Sequence, residues 1–309
     1  MVATTLGFLM QSSPRPRRGQ AASRVPSWNQ EVASKLGEAA DLLAAQRANP
    51  FRVNAFRRAA ATILQLPRDI REVVEAEGPA GLVSIPNVGR GIASAIIEIV
   101  ATGRWCRLDR LRGEIDAGRL FRSVPGIGPA LAQRIHDTLH IDSLEALEVA
   151  THDGRLESVP GVGQRRVAAI RASLAAMLGP LVRPAPLARN TPPVGVLLNL
   201  DQEYRRKSGR GMLPLITPRR FNPEGEAWLP ILHTERHGWH FTALYSNTAR
   251  AHELGRTHDW VVVYYSDHDH QEHQCTVVTE FRGPLRGKRV VRGRERECEA
   301  FYAKRFQPQ

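Results

Sequence analysis

A short turn sequence that occurs three times is the feature that most constrains the fold of this chain. Each copy reads Ser, an aliphatic residue, Pro, Gly or Asn, an aliphatic residue and Gly, and apolar residues with helical spacing follow it. The copies occupy residues 84–89, 123–128 and 158–163. Glycine permits a positive φ and a close approach to the bare backbone. Each copy therefore predicts a tight turn between two helices, and the three together predict an internal helical repeat.

Each predicted turn ends at the N-terminus of the next helix. Free backbone N–H groups and the helix dipole favour an anion at such a position. With glycine in the turn, no side chain blocks a DNA phosphate from reaching those amides. The first copy has Asn87 where the others have Gly126 and Gly161. Because asparagine tolerates left-handed backbone geometry, we expect this turn to form as well.

The charge balance favours nucleic acid as the partner. The 309 residues include 43 Lys and Arg against 31 Asp and Glu, a formal net charge of +12. Such a balance favours a polyanion, and nucleic acid ahead of an acidic membrane. We expect no membrane-spanning helix, because no run of eighteen apolar residues occurs, and no secretory signal, because no basic residue precedes the first apolar stretch. These features, with only three cysteines, predict a cytoplasmic, nucleoid-associated protein.

Longer sequence blocks around the turns carry a family resemblance. The blocks are NPFRVNAFRRAAATILQLP (49–67), IPNVGRGIASAIIEIVATGR (85–104) and the tandem SVPGIGP and SVPGVGQ turns. In order and spacing they resemble the N-terminal and thumb-like portions of X-family, or beta-like, DNA polymerases, over residues 29–178. The resemblance implies helix-hairpin-helix elements that bind duplex, gapped or nicked DNA through backbone phosphates, without sequence preference. It also implies that a monovalent cation can bind at the hairpins.

The residues expected to contact DNA lie in and around these turns. The glycines allow close backbone approach, and the arginines at the helix starts, with two on the helix after Pro50, are expected to reach phosphates. The expected DNA-binding residues are Gly89, Arg90, Gly91, Gly126, Gly128, Gly161, Gly163, Arg165, Arg166, Arg52 and Arg57. The alternative is that the turns only pack helices, but the positive net charge favours phosphate binding.

The resemblance does not extend to the lyase residues of the family. Some members remove a 5′ deoxyribose phosphate with a Schiff-base lysine, and the matching position here is Ala95. A Schiff base requires a primary amine, and residues 91–102 contain no lysine, so lyase activity is not expected. Gly91 also replaces a second basic residue of the family's 5′-phosphate pocket. The basic residues left to line that pocket are Arg52, Arg57, Arg58 and Arg90.

Polymerase activity is not expected either. Nucleotidyl transfer in the family needs a Gly-Ser turn and three carboxylates that hold two metal ions. After residue 180 no Gly-Ser is followed by Asp-x-Asp, and the chain beyond Arg183 is too short for palm and fingers together.

The C-terminal third changes from helical to strand-like spacing. Strands are predicted at 194–200, 227–233, 239–245, 260–265, 276–281 and 288–292, and a short helix at 248–254 capped by Thr248 or Asn247. The predicted fold is therefore an all-α helix-hairpin-helix half followed by a small α+β domain with a mainly antiparallel sheet. The predicted parts are a disordered basic arm (1–26), a polymerase-beta-N-terminal-like helical domain with the first hairpin (27–104), a tandem hairpin domain (105–181), a Pro-rich linker (182–195) and the C-terminal α+β domain (196–309).

The C-terminal third also holds most of the eleven histidines. Imidazole is the commonest metal ligand, so one hypothesis is a divalent-metal site. The candidate ligands at a predicted hairpin tip are Asp267, His268, Asp269, His270 and His273. A second candidate group is His233, Glu235 and His240, with Glu226 and Asp259 as further carboxylates. No pair has a recognised ligand spacing, and a polar hairpin tip explains the same residues.

Basic and aromatic residues of the C-terminal third suggest a second nucleic-acid surface. Arg219, Arg220 and Phe221 are expected to lie in a loop. Residues 218–225 contain two prolines and a glycine, which suggests that this loop has a fixed conformation. Further basic residues occur at 286–289 and 292–294. Such clusters suit phosphate contact and base stacking, and an ordinary solvated face is the alternative.

Two functional hypotheses follow from the sequence. The first is a sequence-independent DNA-binding accessory of repair or recombination, whose C-terminal domain binds a repair-protein partner. The second is a metal-dependent nuclease with its site in the His-rich C-terminal domain. The first is preferred because no complete catalytic constellation is visible in the sequence.

Overall fold

The computed structural model describes residues 25–114, 117–139, 141–178, 191–266 and 272–305. Most of the predicted arm (1–24) and linker (182–190) lies outside these ranges, as does the predicted hairpin tip (267–271). The first part of the chain is helical. Its elements are α1 (Ser27–Ala45), α2 (Pro50–Leu64), α3 (Ile70–Val83), α4 (Arg90–Thr102), α5 (Cys106–Arg112), α6 (Ala117–Phe121), α7 (Pro129–Leu139), α8 (Leu144–His152), a 3₁₀ turn (Arg155–Ser158) and α9 (Gln164–Leu178).

Local sequence explains where these helices begin and end. The Asn49 side chain accepts a hydrogen bond from Phe51 N (2.9 Å) and so caps α2, whose first residue is Pro50. Helix α4 ends at Gly103, which adopts a left-handed conformation (φ 67°). Helix α3 continues past Gly78 only through a kink at that residue (φ 60°, ψ −148°).

The C-terminal part combines three helices with one sheet. Its elements are α10 (Val194–Gly209), β1 (Leu215–Ile216), β2 (Leu229–Arg236), β3 (Trp239–Tyr245), α11 (Ala249–Glu253), β4 (Val261–Ser266), β5 (Glu272–Thr279), β6 (Arg289–Val291) and α12 (Glu295–Arg305). The strands lie in the order β1-β2-β3-β4-β5-β6, and each neighbouring pair is antiparallel. The predicted fold class, a helical half followed by an α+β domain with an antiparallel sheet, is confirmed.

One predicted strand is wrong. Residues 194–200 form the first turns of α10 rather than a strand. Val194, Leu197, Leu198 and Asp201 are all buried on one face, which is the spacing of a helix. A short apolar run does not by itself distinguish a strand from a buried helix, and Pro193 directly before the run allows a helix to begin there.

Two apolar cores hold the described part of the chain together. Helices α6 to α9 enclose one core, which includes Phe121, Leu147 and Leu174. The other core is continuous from α1–α5 through α10 to the sheet, and it includes Leu36, Ile96 and Val263. The helices around the first hairpin and the C-terminal sheet therefore stabilise each other. None of the helices that the structure describes is both long and apolar enough to cross a membrane.

A buried charged cluster lies where these parts meet. Glu272 of β5 accepts hydrogen bonds from Arg107 Nε (3.0 Å) and Arg110 Nη1 (2.8 Å) of α5. The Arg110 guanidinium also lies 3.3 Å from the centre of the Tyr264 ring and 3.5 Å from Asp142, before α8. Tyr264 in turn donates a hydrogen bond to Asp142. The cluster thus joins α5, the segment before α8 and the sheet.

Candidate nucleic-acid interface

The three repeated turns have the same internal structure. In each, the backbone N–H of the second aliphatic residue bonds to the carbonyl of the first, and both side chains are buried. These bonds are Val88 N to Ile85 O (3.1 Å), Ile127 N to Val124 O (3.1 Å) and Val162 N to Val159 O (3.0 Å). The other four positions of each turn, which are the serine, the proline, the following Gly or Asn and the last glycine, are exposed. The aliphatic residues therefore anchor each turn to its core and present the rest to solvent.

The position after the proline requires a left-handed backbone. Its φ is 63° at Asn87, 88° at Gly126 and 83° at Gly161. Side-chain-bearing residues other than Asn and Asp adopt this region at a cost of about 1–2 kcal/mol. Asn87 adopts it, as expected, and donates a hydrogen bond to Thr62 Oγ1 (3.0 Å).

The last glycine of each turn is not required by the fold. Gly89, Gly128 and Gly163 are the N-cap residues of α4, α7 and α9, since their carbonyls accept the first helical hydrogen bonds. None has a positive φ, and a Cβ built on any of the three meets no atom within 4 Å. A Cβ therefore fits at each of these positions without a clash. The shared absence of a side chain leaves each helix N-terminus open to an approaching group.

Three arginines lie near the third hairpin. Arg165 is exposed in the first turn of α9. Arg166, expected to bind a phosphate, donates instead to the turn carbonyl of Gly161 (2.7 Å) in the present conformation. Arg134 of α7 extends toward the same turn, with its Nη2 3.6 Å from the position of a Cβ on Gly161. Sequence reasoning missed Arg134, because its approach depends on how α7 packs beside the third turn.

The first hairpin faces a pocket of about 280 Å³. Its wall combines α2 (Phe51, Arg52), the turn and α4 (Asn87, Gly89, Gly91), Arg107 of α5, and His240 and Ser266 of the sheet. Burial, together with the nearby positive charge of Arg107, lowers the pKa of Arg52 to about 9. The pocket thus holds two guanidinium groups beside the N-terminus of α4, an environment that favours an anion.

Only one of the arginines expected at this pocket lines it. Arg52 does, whereas Arg57, Arg58 and Arg90 are not among its lining residues. Arg57 is exposed and pairs with Asp41 (2.9 Å). The sheet residues of the wall were not foreseen, because local sequence patterns do not show which strand ends meet the hairpin.

The histidines of the sheet do not form a common centre. His233 bonds to Thr242 Oγ1 (3.0 Å) and to Gln46 Oε1 (2.9 Å), and burial lowers its pKa to about 3. His240 instead lies 3.4 Å from Glu235 Oε2, which also accepts a hydrogen bond from Asn49 Nδ2 (2.8 Å). His233 is thus held as a neutral ring in the junction between α1 and the sheet.

The carboxylates considered for a nuclease centre are also separated. The register places Glu235 opposite His240, which pairs with Ser266, whereas Asp259 precedes the other end of β4. Asp259 accepts hydrogen bonds from Arg289 Nη1 (2.7 Å) and Thr279 Oγ1 (2.5 Å), and Glu226 is exposed.

Within the ranges that the structure describes, no group of three or more His, Cys, Asp and Glu side chains is placed to hold a metal ion. His273 lies with its ring 5.6 Å from that of Tyr265. Asp267, His268, Asp269 and His270 lie outside the described residues.

Comparison with known proteins agrees with this architecture. Residues 27–105 match the helix-hairpin-helix domain family, and residues 118–176 match the family of SAM-like helix-hairpin-helix tandems. The chain is also similar to the DNA polymerase/3′-5′ exonuclease PolX of Bacillus subtilis (strain 168), with 28% identity over 118 residues. The matched segment is 38% of this chain but spans only 20% of that relative. The resemblance of the N-terminal part to an X-family polymerase is confirmed.

Proposed function

We propose that this chain is a sequence-independent DNA-binding protein that acts as an accessory in DNA repair or recombination. The observation that carries the proposal is the open last glycine of all three hairpins. Gly89, Gly128 and Gly163 leave three helix N-termini accessible although the fold does not require glycine there. Backbone amides at such termini suit phosphate oxygens. The two helix-hairpin-helix family matches and the similarity to PolX support DNA binding by this part of the chain.

Contacts to phosphates carry no base information. Binding should therefore be independent of sequence and should weaken steeply with salt, because each neutralised phosphate releases counterions. Fluorescence anisotropy with two duplexes of unrelated sequence tests this. We expect equal dissociation constants for the two, and an affinity at least about tenfold lower at ~200 mM than at ~50 mM salt. A strong preference for one sequence, or an affinity that salt leaves unchanged, contradicts the proposal.

The pocket at the first hairpin supports a preference for gapped DNA. Its two guanidinium groups, those of Arg52 and Arg107, surround a space of about 280 Å³, and we assign this space to the 5′ phosphate at a gap. The measurement compares a gapped duplex with and without its 5′ phosphate. Arg52→Gln should abolish the preference for the phosphorylated gap. Arg57→Gln is the matched control, because Arg57 lies on the same helix, is exposed and is not part of the pocket wall. Loss of the preference in both variants, or in neither, contradicts the assignment.

A further inference from the structure

A surface of the sheet domain presents exposed aromatic rings beside arginines. It surrounds α11, on parts of the chain that the hairpins do not use. We call it the α11 surface and define it by Arg220, Phe221, Asn247, His252, Arg256 and Phe281. Two of its residues, Phe221 and Phe281, are among the large apolar side chains that the structure leaves exposed, at 45% and 48%.

Phe221 is held in place by its surroundings. Its φ is 54°, a region that bulky residues adopt only with strain. The His252 ring lies 4.3 Å from its ring, and the Arg220 guanidinium lies 5.3 Å from it. Asn247 donates a hydrogen bond to Arg220 O (3.1 Å) and lies 2.6 Å, through its Oδ1, from His252 Nε2. The strained backbone thus presents an aromatic ring that contacts His252 and Arg220 and still leaves Phe221 45% exposed.

The loop after Phe221 is fixed as well. Asn222 donates to Glu226 O (2.8 Å) and accepts from Glu226 N (3.1 Å). Trp228 packs edge-on against His252, with ring centres 6.4 Å apart. Phe221 therefore sits on a rigid base rather than on a mobile loop, which limits the entropy lost when a ligand binds.

Arg256 and Phe281 form a second pair of an arginine and an exposed aromatic ring, near the C-terminal end of α11. The Arg256 guanidinium is 4.2 Å from the centre of the Phe281 ring. Arg256 is bound to the helix end through its N–H, which donates to Ala251 O (2.7 Å). The first pair thus contacts α11 through His252, and the second contacts the segment that follows α11 through Arg256. Exposed Arg282 follows Phe281, and exposed Arg219 precedes the first pair.

The chemistry of this surface selects one class of partner. Aromatic rings stack on bases, and the adjacent arginines contact phosphates. In a duplex the faces of the bases are covered by their neighbours, so open rings of this kind suit unpaired bases. We propose that the α11 surface binds single-stranded DNA, with Phe221 and Phe281 stacking on bases and Arg220 and Arg256 contacting the backbone. The inference rests on the proposed function, because the hairpins would bind the duplex beside a gap and this surface the unpaired strand.

The test uses the full chain and two labelled probes, an oligothymidylate of about 20 nucleotides and a blunt duplex. In one variant Phe221→Leu and Phe281→Leu are combined, which keeps the apolar bulk and removes the aromatic faces. In its matched control both residues are changed to Tyr, which keeps the faces. We expect the Leu variant to lose about tenfold or more in affinity for the oligothymidylate, and the Tyr variant to retain it. Affinity for the duplex should be unchanged in both.

Three results overturn the inference. They are no measurable binding of the oligothymidylate by the unaltered protein, equal affinity of the Leu and unaltered proteins for it, and a parallel loss for duplex and single strand. If single-stranded DNA does not bind, the remaining hypothesis is that this surface binds a partner protein. Failure of the proposed function is distinguishable, because it would appear as absent duplex binding by the unaltered protein.

Discussion

At the scale of single residues, the position after the proline and the last position of each turn are under different constraints. Gly126 has φ 88°, so the fold itself requires a residue that tolerates left-handed geometry. Gly128 has ordinary geometry and open space around it, so the fold does not require glycine there. The sequence repeat shows only that Gly or Asn occurs at the first of these positions and Gly at the second. The structure separates the glycine that shapes the turn from the glycine that keeps the helix N-terminus accessible.

This difference predicts that alanine destabilises the fold more at Gly126 than at Gly128. Gly126→Ala should lower the free energy of unfolding by about 1–2 kcal/mol, because the Cβ of alanine makes the left-handed backbone conformation unfavourable. Gly128→Ala should lower it by less, about 0.5 kcal/mol, because its φ is ordinary and the substitution only weakens the N-cap of α7. Urea unfolding followed by circular dichroism measures both. Equal losses in the two variants would show that the second glycine is also a requirement of the fold.

At the scale of elements, His233 connects the end of α1 to strands β2 and β3. Its Nε2 donates to Gln46 Oε1 (2.9 Å), and Gln46 Nε2 donates to Leu111 O (2.7 Å). The Nδ1 of His233 accepts a hydrogen bond from Thr242 Oγ1 (3.0 Å). The neutral ring therefore has both nitrogens paired. Burial, with nearby Arg52, lowers its pKa from 6.5 to about 3.

This shift predicts a loss of stability in mild acid. Between about pH 6.5 and pH 3 the unfolded chain takes up a proton at His233 that the folded chain does not. Acid therefore favours the unfolded state, and the melting temperature should fall as the pH is lowered from about 7 to 4. His233→Gln should reduce this slope while lowering the melting temperature at pH 7. A slope that the substitution leaves unchanged would assign the acid sensitivity to other groups.

The elements also show what local sequence determines. Helical spacing and the Pro-Gly turns predicted the helices around the hairpins, and the strand predicted at 239–245 is β3 as observed. The apolar run 194–200 was assigned to a strand because strand and buried helix look alike over so few residues. The pairing of Arg110 with Glu272, 162 positions apart, and the stacking of Phe221 on His252 depend on tertiary packing. No local periodicity predicts such contacts.

At the scale of the whole molecule, the Glu272 cluster joins the parts that carry the hairpins. Arg107 and Arg110 follow the first hairpin's helix, whereas Asp142 belongs to the part that contains the other two. Glu272 lies on the sheet, and the neighbouring guanidinium groups lower its pKa to about 2. The sheet thereby connects the first hairpin to the tandem pair. The cluster therefore helps to fix the position of the first hairpin relative to the other two.

Removal of this carboxylate charge should be costly. Glu272→Gln removes the anionic partner that two largely buried guanidinium groups share and leaves Arg110 with Asp142 at 3.5 Å. Such a change lowers the free energy of unfolding by about 3–5 kcal/mol. Because the folded-state pKa is depressed, the contribution of Glu272 is complete above about pH 4.5 and is lost as the pH falls toward 2. Urea unfolding at pH 7 measures the effect. A change below about 1 kcal/mol would show that the cluster does not hold the parts together.

The measurement that tests the central claim most directly is a titration of gapped duplex with a double variant. In this variant, Gly128→Val and Gly163→Val place side chains where the phosphates are proposed to bind, in space that the folded protein leaves open. Gly37→Val, on α1 and also in open space, is the control. We expect the double variant to stay folded, with a melting temperature lowered only by its two weaker N-caps, but to bind about tenfold or more weakly, and the control to bind normally. Unchanged affinity of the folded double variant would contradict phosphate binding at the hairpins.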